Sequence, residues 1–204
     1  MKKIMLLVIL ITSDLIVIGQ SKEELDSLRQ NLETIFMKDQ TFRKIYLEAE
    51  KKLGRTSPEM EYFWEIVEAQ DKVLEEEVVQ IIENYGWLGI SQVGRLANTT
   101  IWAVLQHGSV DSKRKYAHLL KASVLKNESQ PIMYARLIDR MRINSDQLQV
   151  YGTQVDNNSF DKPTFFDIER PQFVNQRRKK IGLPKLEDYA RQNGIEWSVI
   201  QKEE

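Results

Sequence analysis

Cysteine is absent from this chain of 204 residues, and histidine occurs only twice. The lack of cysteine excludes disulfides, thiol catalysis, cysteine zinc sites and lipid attachment through a thiol. His107 and His118 are eleven positions apart, which matches no recognised metal-binding spacing, and no HExxH motif occurs. A glycine-rich phosphate loop and a Gly-x-Ser-x-Gly elbow are also lacking. We therefore expect neither a metal site nor a cofactor.

Positive and negative charges are nearly balanced, with 29 Lys and Arg residues against 30 Asp and Glu residues and a net charge of −1. Without an overall positive field, the chain is not expected to bind nucleic acid. Hydrophobic residues make up 42% and charged residues 29%, which is typical of a globular protein. A chain of this length is sufficient for one domain with a substantial core.

The N-terminus has the three-part form of a secretory signal peptide: a basic start, an apolar run over residues 4–11, and the small residue Gly19 at the expected cleavage position. Asp14 interrupts the apolar region, so an uncleaved anchor or a buried N-terminal strand is the alternative. A run this short is poorly suited to spanning a bilayer, which needs about 20 apolar residues. We predict a signal peptide at 1–19, a single domain at 20–204, and a secreted or periplasmic location without a membrane span after cleavage.

Several helix boundaries can be predicted from local signals. The sequence Ser21-Lys-Glu-Glu is a capping box, and apolar residues at helical spacing follow until Gly54, with a break near Asp39 as an alternative. Ser57-Pro58 places a capping serine before a proline at the first helical position, and Gly86 ends this second helix. Its Glu75-Glu76-Glu77 run is interpreted as a solvated face. Further helices are predicted over 111–126 and 131–143.

Residues 86–108 form the least charged long segment after the N-terminus, with Arg95 as the one charged residue. We predict a helix here, capped by Ser91 and ended by Gly108 in the left-handed conformation. Even its outer side is mostly uncharged, so it should be buried over most of its circumference. His107 lies at its C-terminal end. The predicted inward arc comprises Val93, Leu96, Ala97, Thr100, Ile101, Val104 and His107.

The C-terminal third has a different composition. Residues 148–155 alternate in polarity, as a strand does, and 164–168 could return as its partner across a turn at Asp156-Asn157-Asn158. Two short helices should follow, over 173–181 and 184–193. The predicted fold is therefore mainly α: a single-domain antiparallel helical bundle with a small C-terminal β-hairpin and two short helices.

Six polar groupings are candidates for a site, and one of them, Gln70-Asp71 in the middle of the second helix, is interpreted as a solvated face. Asp39 and Arg43 are four residues apart on one helix face, either as an exposed ion pair worth about 0.3–0.5 kcal/mol or as groups directed into a cleft. His107 is either a core histidine or a general base. The basic run 177–180 is interpreted as a solvated face with one arginine turned inward. Another grouping contains Arg136, Asp139 and Arg140, which could form a structural network or anchor a carboxylate or phosphate. The last is Tyr151-Gly-Thr-Gln154, in which glycine permits close backbone approach.

These motifs occur in an order that resembles an uncharacterised bacterial domain-of-unknown-function family, number 6624. The segments that carry the resemblance are Asp39-Gln40-x-x-Arg43, Gly86-Trp87, Val93-Gly94, Gln106-His107, Asp139-Arg140, Tyr151-Gly-Thr-Gln154 and Arg177-Arg178-x-x-x-Gly182-Leu183. Two positions depart from the pattern, Leu88 where the family usually has proline and Leu74 where it has asparagine after Asp71. The resemblance spans roughly Asp39 to Tyr189 and implies a site location but no reaction.

The leading hypothesis is a polar pocket that binds a small polar or anionic ligand. Its ligand-binding residues would be Asp39, Arg43, Arg140, Tyr151 and Gln154, together with His107 and Asp139. The first alternative is a hydrolase in which His107 is the general base and Asp39 or Asp139 orients it. The second is a structural network that supports a protein-binding surface, with an unknown protein partner.

Overall fold

The computed structural model describes residues 20–156 and 163–202, and the predicted signal peptide lies outside these ranges. Within them the chain is mainly α-helical with a two-stranded antiparallel sheet, as predicted. None of the described helices is long and apolar enough to cross a membrane. The elements are α1 (Lys22–Leu53), α2 (Pro58–Tyr85), α3 (Ile90–His107), α4 (Val110–Leu125), α5 (Pro131–Ile143), β1 (Val155–Asp156), β2 (Thr164–Phe165), α6 (Val174–Lys180) and α7 (Leu186–Gln192).

The boundaries of the first two helices confirm the local signals. The Ser21 hydroxyl accepts from the Glu24 amide at 3.1 Å, and the Ser57 hydroxyl accepts from the Met60 amide at 3.2 Å. Each hydroxyl thereby satisfies one of the amides that has no partner in the first turn of a helix. α1 runs unbroken through Asp39, so the two-helix alternative is wrong.

The start of α3 differs from the prediction. Gly89, not Ser91, is the N-cap residue, and the Gln92 side chain accepts from the Gly89 amide at 2.9 Å. Gly94 lies inside the helix with φ 81° and ψ 168°, so the backbone kinks there. Because of the kink, residues before and after Gly94 do not share one regular helical face. Leu96, which was predicted to face inward, is 41% exposed.

The end of α3 also differs. Gly108 is extended, with φ −70° and ψ −167°, and therefore does not adopt the predicted left-handed conformation. Its amide still donates to the Val104 carbonyl at 2.9 Å and closes the helix. Ser109 then caps α4 directly, so only two residues separate the two helices.

α3 is the central helix of the core, as its low charge predicts. Ile101 and Leu105 are fully buried, and even Asn98 on the outer side is inaccessible because it donates to the Leu88 carbonyl at 2.8 Å and to Ser129 Oγ at 2.9 Å. Around α3 pack the buried apolar residues of the other long helices. These include Leu32, Ile35, Leu74, Val78, Leu120 and Leu137.

The predicted strand over 148–155 is wrong for most of its length. The two-stranded sheet pairs Val155 and Asp156 with Phe165 and Thr164, and the predicted turn residues 157–158 lie outside the described ranges. The preceding segment forms an irregular loop, with Gly152 at φ 70° and an isolated bridge between Gln149 and Ile168. Three amides of this loop donate to the Asp139 side chain and not to a partner strand.

Two short helices close the chain close to their predicted positions, and the basic run lies on the first of them. Two arginines of this run turn inward rather than one. Arg178 is fully buried and donates to the carbonyls of Pro184 and Tyr151, both at 2.7 Å. Arg177 donates to the Val150 carbonyl at 2.8 Å. The two side chains therefore fasten α6 to the loop that precedes β1.

Candidate functional site

The C-terminal residue of α3 meets the middle of α1. His107 Nδ1 lies 2.9 Å from Asp39 Oδ1, across a separation of 68 residues in sequence. The Asp39 side chain is 1% exposed, whereas the His107 side chain is 26% exposed. A buried carboxylate thus contacts one nitrogen of an imidazole that still reaches solvent.

Asp39 is surrounded by groups that favour its charged form. Burial by itself raises the pKa of Asp39, but the hydrogen bond and charge of His107, the charge of Arg43 and the Gln40 amide outweigh it, and the pKa lies below its ordinary value. Gln40 Nε2 donates to Oδ2 at 2.6 Å. The ionised carboxylate can only accept, so Nδ1 of His107 carries the hydrogen and Nε2 of the neutral ring has a free lone pair.

Arg43 extends this network to α2. Its Nη1 donates to the Asp39 carbonyl at 2.9 Å and lies 3.4 Å from Oδ1, and its Nη2 donates to Asp71 Oδ2 at 2.6 Å. Asp71 Oδ1 is buried and has no hydrogen-bond partner among the described residues. Asp71 is therefore a member of the site that the predicted set lacks, and the interpretation of Gln70-Asp71 as a solvated face is wrong for Asp71.

A buried lysine lies at the start of α4, and the sequence did not indicate it. Lys113 is 1% exposed, and its Nζ donates to the carbonyls of Gly108 and Ser109. Burial lowers the pKa of Lys113 to about 8, with the positive charge of Arg140 adding to the effect and the carboxylates of Glu75 and Asp71 opposing it. Lys113 therefore contacts the backbone next to His107, and its charge interacts with Glu75 and Asp71 on α2 and with Arg140 on α5.

Glu75 is part of the same surroundings rather than of a solvated face. It is half-buried and accepts from the amide of Ser109 at 3.0 Å and from its hydroxyl at 2.7 Å. Burial raises the pKa of Glu75, but the bonds from Ser112 and Ser109 and the charge of Lys113 outweigh this and lower it. The contact places a carboxylate at the N-terminus of α4, where the helix dipole favours negative charge.

Asp139 lies in a second cluster and anchors the loop before β1. Its Oδ1 accepts from the amides of Val150 at 2.7 Å and Tyr151 at 2.9 Å, and its Oδ2 accepts from the amide of Thr153 at 2.9 Å and its hydroxyl at 2.8 Å. Asp139 is completely buried. Burial raises its pKa, and the four hydrogen bonds oppose that effect. All of these contacts are typical of a structural carboxylate.

Tyr151 and Gln154 belong to this second cluster. Gln154 donates from its amide to Gln149 Oε1 at 2.9 Å, and its side chain lies 3.3 Å from Thr153 Oγ1. Tyr151 is 9% exposed and packs edge-on against Tyr134, with 6.0 Å between ring centroids. Burial, together with the neighbouring Tyr134 and Asp139, raises the pKa of Tyr151. Neither Tyr151 nor Gln154 therefore offers a polar atom that is as available to a ligand as Nε2 of His107.

The predicted site residues therefore fall into two groups. Asp39, Arg43 and His107 are joined by direct contacts, and within residues 20–156 and 163–202 no hydrogen bond or ion pair connects His107 to Asp139. Arg140 is exposed, and its charge acts on Lys113 beside the first group. Over the same ranges, no three histidine or carboxylate side chains are arranged to hold a metal ion.

A separate groove lies at the C-terminal end. It has a volume of about 1460 Å³, and it is lined by α6, α7 and the final segment, including Lys180, Lys185, Arg191 and Val199. None of the seven predicted site residues lines this groove.

The geometry defines a mainly helical protein with a buried aspartate that orients a surface histidine. The chain belongs to a family of unknown function, DUF6624, whose model matches residues 26–198. This is the family that the order of the motifs resembles, and no activity comes with it. No curated protein matches the chain, and no solved structure matches it either.

Proposed function

We propose that the protein is a hydrolase in which His107 acts as general base on a small polar or anionic substrate. One observation carries the proposal, the 2.9 Å contact between buried Asp39 and the partly exposed His107. A carboxylate at Nδ1 fixes the ring orientation and stabilises the imidazolium that forms when Nε2 takes a proton.

The chemistry needs one water molecule and one labile bond. Nε2 of His107 removes a proton from the water, and the oxygen attacks a carbonyl or phosphoryl centre. The imidazolium then returns the proton to the leaving group, so the histidine ends as it began. Asp39 stays ionised throughout, since His107 and Arg43 keep its pKa low.

The substrate anchor is assigned to Arg140 rather than to Arg43. Both nitrogens of the Arg43 fork are engaged by Asp39 and Asp71, and its side chain is 18% exposed. Arg140 is exposed, and no side-chain hydrogen bond or ion pair engages it among the described residues. A guanidinium in this state is well suited to bidentate contact with a carboxylate or phosphate.

Binding without turnover is the second candidate function. The exposed guanidinium of Arg140 favours it, because this group can pair with a ligand carboxylate or phosphate whether or not a bond is then cleaved. In either case we place the protein in the secreted or periplasmic compartment, on the basis of the signal-like residues 1–19.

The test is a panel of chromogenic phosphomonoesters, phosphodiesters, carboxyl esters, glycosides and peptide anilides. We expect one class to be hydrolysed, with kcat reduced by roughly 100-fold or more in His107→Gln. Asp39→Asn should also reduce kcat, whereas His118→Gln, which removes the other histidine, should leave it unchanged.

A thermal-shift screen with anionic metabolites, on the unaltered protein, His107→Gln and Arg140→Gln, separates the two functions. A bound ligand raises the unfolding midpoint by mass action. Ligand shifts that are lost in Arg140→Gln, without hydrolysis of any class, would support binding alone. Hydrolysis that persists in His107→Gln would refute the general-base assignment.

A further inference from the structure

The distal part of the α1–α2 hairpin, residues 40–70, extends beyond the core. The core residues of α1 all precede Asp39, and those of α2 in the main apolar cluster all follow Asp71. In the distal hairpin only Met60 and Val67 are buried. Here the two helices pack mainly against each other, in part through the aromatic contact of Phe42 with Phe63 at 5.6 Å.

An apolar stripe runs along the outside of α2. Tyr62 is 64% exposed, Ile66 38% and Val73 54%, and they are separated by four and seven residues. At 3.6 residues per turn this spacing places all three on one side of the helix. Such spacing is typical of a helix that packs against a partner, and nothing in the described part of the chain covers it.

α1 contributes Ile45, which is 50% exposed, to the same face. Lys38 lies two turns before Ile45 on α1, and Glu77 lies one turn after Val73 on α2, so each is on the same side of its helix as these apolar residues. Lys38 and Glu77 form an ion pair at 4.0 Å, which shows that these sides of α1 and α2 are next to each other. The Arg43–Asp71 pair lies on the opposite face, toward His107. We call the surface formed by Ile45, Tyr62, Ile66 and Val73 the hairpin face.

Charges of opposite sign flank the hairpin face on its two helices. The exposed charged residues of the distal hairpin are three lysines and one glutamate on α1 but only glutamates on α2: Lys44, Lys51, Lys52 and Glu48 on α1, and Glu59, Glu61, Glu65 and Glu68 on α2. None of these side chains makes a hydrogen bond or ion pair with another described residue. α1 therefore offers mainly free cations, and α2 offers free anions.

We propose that the hairpin face binds a second copy of this chain, so that two hairpins form a four-helix bundle. A two-fold axis parallel to the hairpin places α1 of each copy beside α2 of its partner. The lysines then face glutamates while the apolar residues meet in the centre. A second copy is favoured as the occupant because it supplies both charge patterns in matching positions.

Sedimentation velocity over a concentration series tests the proposal. We expect a reversible dimer, and Ile66→Glu should raise its dissociation constant by roughly tenfold or more, since it puts a charge at the centre of the interface. Leu125→Glu is the matched control, because Leu125 is 64% exposed at the end of α4 and lies off the hairpin face. A monomer at every concentration, or a dimer equally sensitive to both substitutions, would overturn the proposal.

A charge exchange tests the arrangement of the helices. Lys44→Glu with Lys52→Glu in one variant, and Glu59→Lys with Glu65→Lys in another, should each weaken self-association. An equimolar mixture should restore the dimer, because each α1 then meets an α2 of opposite charge. Failure of the mixture to associate more tightly than either variant alone contradicts the two-fold pairing. Circular dichroism of each variant verifies that the helices are intact.

Discussion

Replacement of Asp139 by asparagine should destabilise the protein, although Asp139 makes no hydrogen bond to His107. The carboxylate is fully buried, and its two oxygens accept four hydrogen bonds, three of them from backbone amides. Asparagine offers one acceptor oxygen where aspartate has two. In either orientation its NH₂ group faces at least one buried backbone N–H, and that donor loses its partner.

The magnitude follows from these contacts. A buried donor without an acceptor costs about 1–3 kcal/mol, and the conversion of the remaining charge-assisted bonds to neutral ones costs about 1 kcal/mol more. We therefore expect the free energy of unfolding to fall by about 2–4 kcal/mol, a large share of the stability of an ordinary domain.

Urea unfolding followed by circular dichroism measures this change. Asp111→Asn is the control, since the Asp111 side chain is 92% exposed and pairs with the exposed Arg114, and it should cost under about 1 kcal/mol. An Asp139→Asn variant that unfolds at the same urea concentration as this control would refute the structural role of Asp139.

Three further substitutions test individual parts of the structure. Burial lowers the pKa of Lys113 to about 8, so between about pH 8 and 10 the folded protein loses the Lys113 ammonium proton while the unfolded chain keeps it. The free energy of unfolding should therefore rise over this pH range by up to about 3 kcal/mol, and urea titrations of Lys113→Met should show no such rise. Arg178→Met removes the donor from the buried Tyr151 carbonyl and from the Pro184 carbonyl and should cost about 1–3 kcal/mol, and an unchanged thermal midpoint would contradict this. Gly94→Ala should cost about 1–3 kcal/mol in chemical unfolding through its backbone conformation of φ 81° and ψ 168°, which is essentially restricted to glycine, since the nearest side-chain atom, Arg29 Cδ, lies 4.0 Å from the added Cβ.

Local chemistry made much of the helical fold predictable. Ser21, Ser57 and Pro131 begin helices because capping and the restricted φ of proline act within a few residues, and the sequence displays both directly. The low charge of α3 likewise predicted its central place in the core. The kink at Gly94 was not predictable, because a glycine inside a helical pattern is compatible with either a regular or a kinked helix.

The candidate site was predictable only in part, since Asp39, Arg43 and His107 were predicted as site residues but Asp71 and Lys113 were not. His107 could be named as a candidate base, yet its partner is 68 residues away, and Asp39 and Asp139 were equal alternatives in sequence. Only the packing of α3 against α1 selects Asp39. Alternation in residues 148–155 predicted a strand because the sequence does not show that Asp139 supplies the acceptors for that backbone.

Nitrogen-15 NMR of the imidazole rings tests the central claim most directly, because the chain has only two histidines and His118→Gln leaves one set of signals. In neutral His107 we expect the hydrogen on Nδ1, bonded to Asp39, and a lone pair on Nε2. Asp39→Asn should shift this tautomer balance toward hydrogen on Nε2. A neutral His107 that already carries its hydrogen on Nε2 in the unaltered protein, with no change in Asp39→Asn, would contradict the proposed role of Asp39 and remove the basis for a general base at this site.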